Sequence, residues 1–169
     1  MIFKKIPSCS VLITSIFISS PALADQWGVM PGASESSILI GLNADGHGIT
    51  ASCFGEMVEV SYMKPDYEST VTGREKYHGN ILIKVDNELI MTRRSVTISR
   101  PSATHLALTS KLNNAPATVR KVLRGIRDAK ETVTLQATAS DKIVNSADIS
   151  AIGSTEAVTE FANKCGIEI

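Results

Sequence analysis

Residues 37–54 read SILIGLNADGHGITASCF. Ser37 to Asn43 alternates at period two, with Ile38, Ile40 and Leu42 on the face expected to be apolar. Ala44 to Gly48 holds Asp45-Gly46 and Gly48, a hairpin signal. The return arm runs from Ile49 to Phe54. It sets Ile49, Ala51 and Cys53 on one face and Thr50, Ser52 and Phe54 on the other. Two alternating arms around a tight turn make an antiparallel pair, so the chain begins as a β-protein.

The same grammar extends outward. Gly55 marks a break, and Met57 to Met63 predicts a third strand with Val58, Val60 and Tyr62 inward. Ile81, Ile83 and Val85 alternate with Leu82 and Lys84. Asp86-Asn87 is a turn signal, and Leu89 to Thr92 runs back. Ser95 to Ser99 continues the sheet until Arg100-Pro101 ends it. His105 to Leu112 fits a strand or a helix. Thr132 to Thr138 is strictly alternating, and Lys142 to Ile152 is a weaker strand.

Two helices follow from 3.6-residue spacing. Pro116 to Ala129 opens on a proline suited to the first helical position. Val119, Val122, Leu123 and Ile126 face inward, and Arg120, Lys121, Arg124 and Arg127 face outward. The last helix is expected to be capped by Ser154, with Glu156 in its first turn. Val158, Phe161, Ala162 and Cys165 share one face, and Gly166 is placed as a left-handed terminator. The predicted fold is α+β and mainly β: an antiparallel sheet, folded into a sandwich or partly closed barrel, covered by these two helices.

Met1 to Ala24 reads as a secretory signal peptide. Lys4 and Lys5 form the basic start, Ile6 to Ile18 the apolar stretch, and Ala22-Leu23-Ala24 the cleavage site. The apolar run falls short of the about 20 residues of a membrane span, and no second such stretch follows. The expected product is one exported β-rich domain, residues 25–169, placed in the periplasm or secreted. It retains two cysteines, Cys53 and Cys165. In an oxidising compartment their economical partner is each other, so a disulfide is expected.

Charge and composition exclude some functions. The chain has 17 basic and 17 acidic residues; without Lys4 and Lys5 it stands at 15 against 17. That is not the balance of a nucleic-acid binder or a polybasic membrane protein. Serine-nucleophile signatures, a phosphate-binding glycine loop and His-Glu-x-x-His are missing, and so is any metal-ligand spacing. No catalytic residue, cofactor or metal is therefore expected. His47 reads as a solvated turn histidine, and Asp66, Glu68 and Glu75 as solvated loop carboxylates. Arg93, Arg94 and Arg100 read as charges on exposed strand edges. The one-signed helix face from Arg120 to Arg127 reads first as a solvent face.

Lys64 to Asn80 has no apolar period and contains Pro65, Gly73 and Gly79. It predicts a long loop, or a loose hairpin turning at Thr72-Gly73. Within it Tyr67, Arg74, Tyr77 and His78 are the candidate partner-binding residues, because tyrosine and arginine are enriched among interface hot spots.

Asp25-Gln26-Trp27-Gly28-Val29, the strand cysteine and the closing helix from Ser154 to Cys165 together resemble small bacterial periplasmic proteins of the invasion-associated locus B type. Those are exported β-rich domains ending in a helix with a glycine, alanine and phenylalanine signature. The matching stretch here is Gly153 to Phe161, with Ala157 between them. The family's early cysteine after the tryptophan is replaced by the Met30-Pro31 region. The resemblance implies an envelope protein acting through interactions and brings no catalytic residues. The leading expectation is thus a non-enzymatic periplasmic binding or accessory protein whose partner is a protein of the cell envelope. The alternatives are an inhibitor or immunity protein against an envelope hydrolase, such as a lysozyme or toxin, and a small cell-envelope hydrolase.

Overall fold

The quoted hairpin forms in the computed structural model, which describes residues 26–32, 36–54, 57–68, 70–93, 95–112 and 116–169. The expected signal peptide, the Gly55 break and Arg94 lie outside the described residues. Strand β1 (Gln26–Pro31) pairs with the first arm, β2 (Ser37–Leu42), which pairs with the second, β3 (Gly48–Phe54). Next come β4 (Met57–Pro65), β5 (Glu75–Tyr77), β6 (Gly79–Val85) and β7 (Glu88–Arg93). They are followed by β8 (Val96–Ser102), β9 (His105–Lys111), helix α1 (Pro116–Arg127), β10 (Thr132–Ala139), β11 (Lys142–Ser150) and helix α2 (Ser154–Lys164). One antiparallel sheet runs β1-β2-β3-β4-β9-β8-β5, and a second runs β11-β10-β6-β7. One apolar core draws on both sheets and both helices.

The expected inner faces of β3, β4, β6 and β10 are the buried ones. The face of β2 is reversed. Ser37, Leu39 and Gly41 are buried, while Ile38, Ile40 and Leu42 lie half-buried on the outer face. Register causes this, because Leu39 pairs with Ala51 and Gly41 with Ile49, both on the core side of β3. The Trp27 ring also lies over Gly41, where a Cβ would sit 2.7 Å from the ring. Residues 105–111 resolve as strand, with Leu108 paired to the core residue Tyr62. Strand β8 continues past Arg100-Pro101 to Ser102. Its pairing with β9 shifts register between Ser99 and Ser102, so Pro101 falls in the irregular stretch, where its missing N–H is tolerated.

Lys64–Asn80 is not a continuous loop. β4 extends to Pro65, β5 joins the edge of the first sheet by pairing with β8, and β6 starts at Gly79. No β4–β5 hairpin forms at Thr72-Gly73. The chain passes from one sheet to the other across His78. Gly79 is the corner, since any Cβ there would collide with the Thr138 carbonyl. The other flank is drawn together by side chains. Trp27 Nε1 donates to the Ser150 carbonyl at 2.6 Å, and Asn43 Nδ2 to the Asp148 carbonyl at 3.2 Å. These ties bring β1 and the β2–β3 turn to β11, so the sandwich is partly closed.

The helices bridge the sheets. α1 packs on β6 and β7, α2 packs on β1 and β2, and the two pack on each other. α2 ends in a Schellman motif: Ile167 N–H donates to Ala162 O at 2.9 Å and Gly166 N–H to Asn163 O at 3.3 Å, with Gly166 at φ 64°. Its start differs from expectation. The cap is Gly153 at φ 87°, with no side-chain capping bond, and Ser154 is a fully buried first helical residue. Cys53 and Cys165 form the expected disulfide, with Cα atoms 6.0 Å apart, joining β3 to the end of α2.

Candidate functional site

The outer face of the large sheet carries a row of hydroxyls. Lys76 of β5 pairs with Thr97 of β8, Thr97 with Thr109 of β9, and Thr109 with Ser61 of β4. Ser61 and Thr109 are buried and share a 2.8 Å hydrogen bond. Two residues along, on the same face, Lys111 pairs with Glu59, and their side chains meet at 3.3 Å. Arg74 reaches the other Glu59 oxygen at 3.5 Å. Arg74, Lys76 and Lys111 thereby rim an open groove of about 600 Å³ whose lining includes Ser95, Thr97 and Thr109. Three cations against one carboxylate, above hydroxyl donors, suit an anionic or acceptor-rich ligand.

The segment leading to this groove is pinned at both ends. At its start Asp66 receives Lys64 Nζ at 3.1 Å and lies 3.6 Å from Arg100. Arg100 also donates to the Ala103 and Asp66 carbonyls at 2.6 and 3.2 Å. Asp66 N–H donates to Thr104 O at 2.9 Å. Thus neither Asp66 nor Arg100 is a solvated charge, as the sequence suggested; each ties the segment to the β8–β9 turn. At its end Arg74 holds Glu59. Between these pins Tyr67 is 76% exposed.

The four candidate residues do not form one patch. Tyr67 projects from the pinned segment, and Arg74 rims the groove. Tyr77 faces inward, packs against the core and donates its hydroxyl to Thr138 O at 3.0 Å; burial raises its pKa. His78 lines an adjoining surface hollow with Lys76, Tyr77, Asn80, Ser140 and Asp141, at the crossing between sheets. Tyr77 is therefore an anchor of the fold. Lys76, Thr97, Thr109 and Lys111 join the site only through strand register, which no local motif announces.

A second polar centre lies at the β2–β3 turn. His47 is half-buried, and its Nδ1 lies 2.8 Å from the hydroxyl of Tyr62, which is wholly buried. Burial lowers the His47 pKa and pushes that of Tyr62 up to about 12. At neutral pH the pair is an uncharged imidazole and phenol. His105 stands beside the same turn, with Nδ1 2.9 Å from Thr104 Oγ1, close enough to oppose protonation of His47. Two of the three histidines therefore lie at or beside this turn. Among the described residues, no three His, Cys, Asp or Glu side chains are grouped to hold a metal, and no helix is long and apolar enough to cross a membrane.

The chain matches no family model, and no curated protein or solved structure is significantly similar to it.

Proposed function

We propose that this protein is a non-enzymatic accessory protein of the bacterial envelope, exported by a cleaved signal peptide, that acts by binding another envelope protein. The observation supporting this is the cationic groove beside β5, rimmed by Arg74, Lys76 and Lys111 and flanked by a segment fixed at both ends. The resemblance to the invasion-associated locus B type agrees with a role through interactions.

The exposure of Tyr67 favours a second reading within binding proteins. A rigidly based segment with a large aromatic at 76% exposure is the shape of an inhibitor that enters a hydrolase cleft. The test of both is affinity capture from periplasmic extract with the wild type and a Tyr67→Ala, Lys76→Glu variant. The wild type should recover one protein at stoichiometric amounts, and the variant should bind it at least about tenfold more weakly. A cell-wall hydrolase as that protein selects the inhibitor reading. Turnover of a cell-wall substrate by the pure protein would overturn the non-enzymatic reading, and the His47–Tyr62–His105 centre would become the place to mutate.

A further inference from the structure

Helix α1 uses all its large apolar side chains on the core: Val119, Val122, Leu123 and Ile126 are each at most 6% exposed. Its opposite side shows Arg120, Lys121 and Arg124 to solvent. None of the three makes a hydrogen bond or ion pair among the described residues. Asp128, whose carboxyl feels Arg124, is already held by Arg127 through hydrogen bonds of 2.7 and 3.1 Å. Complementing the helix dipole accounts for Arg124 and Arg127 in the last turn. It does not account for Arg120 and Lys121, nor for a first turn without any acidic residue. The positive end of the dipole and the middle cations thus add to one another.

None of Arg120, Lys121 and Arg124 lines the groove at β5 or the hollow at His78. The face carries no aromatic side chain. A flat, fluid array of negative headgroups needs neither pocket nor anchor. We propose that α1 docks the protein on an anionic phospholipid surface by charge alone, without inserting into it. This does not depend on the protein-binding groove. Because the chain carries equal numbers of acidic and basic residues, the attraction is local and acts within about a Debye length, roughly 10 Å at 0.1 M salt.

The experiment is vesicle co-sedimentation of the full chain with phosphatidylcholine alone and with added phosphatidylglycerol. Wild type and variants are prepared alike, so any effect of the expected signal peptide, Met1 to Ala24, is common to all. Binding should rise with phosphatidylglycerol content and vanish at about 0.5 M salt. The Arg120→Glu, Lys121→Glu, Arg124→Glu variant should partition roughly 100-fold more weakly. The corresponding triple glutamine variant, which keeps good helix formers, should show an intermediate loss and serves if the glutamates unfold the helix. Lys142→Glu, which reverses an exposed cation on β11, should bind as wild type does. Equal binding to both lipids, or undiminished binding by both triple variants, would overturn the proposal. Displacement by millimolar soluble glycerol phosphate would also overturn it, by pointing to a discrete phosphate site.

Discussion

At the residue scale, the start of α2 separates two assignments of the same cap. A serine cap removed to alanine costs about 1 kcal/mol. Here Gly153 takes the cap position at φ 87°, and the buried Ser154 Oγ has no hydrogen-bond partner. Ser154→Ala should therefore be neutral or stabilise by up to about 1 kcal/mol, whereas Gly153→Ala should destabilise by about 1 kcal/mol through its left-handed backbone. Urea denaturation of both variants checks this. Asp86 supplies the acid response. Its carboxylate accepts the N–H groups of Lys130, Glu131 and Thr132 at 2.9 to 3.0 Å, and those bonds hold its pKa below the usual value. The stabilisation is full above the unfolded carboxylate pKa, near 4, and is lost as pH falls through the depressed folded value. Asp86→Asn should lower the denaturation midpoint at pH 7, and its difference from wild type should shrink steadily below about pH 4.

At the element scale, the strands most legible in the sequence were those buried on one face. β3, β4, β6 and β10 alternate, and their inner residues could be named from spacing alone. β2 is apolar on both faces, so its orientation waited on Gly41 and Trp27. β1 (QWGVMP) has no alternation, and β5 has only three residues; each is a strand because a neighbour pairs with it. The groove and the His47–Tyr62 pair were hidden for the same reason, since register between distant strands places their members. The crossing from β5 to β6 leaves no room at its corner. Gly79→Ala should cost more than about 2 kcal/mol by pressing on the Thr138 carbonyl, measured by thermal or denaturant unfolding. His78→Ala beside it, on an open hollow, should stay within about 0.5 kcal/mol of wild type.

At the scale of the whole molecule, the fold is closed by a few long-range ties. The Cys53–Cys165 bond spans a sequence separation of 112 and fastens α2 to the large sheet. In the chain-entropy account a loop of this length contributes about 4–5 kcal/mol, less any strain. Replacing either cysteine by serine should lower stability by roughly 2–5 kcal/mol, and thiol titration of the unreduced, denatured wild type should find neither of these two cysteines reactive. Trp27 to Ser150 is a second tie, across a sequence separation of 123.

Such ties also order events in time. A growing chain presents Cys53 when Cys165 is still 112 residues from being made. The partner of Trp27 is likewise 123 residues downstream. The early hairpin strands therefore wait, unpaired at one flank and with a bare thiol, until residues 150 and 165 arrive. Closure is a late event, and a message cut before the codon for Cys165 would yield a chain whose latch never shuts.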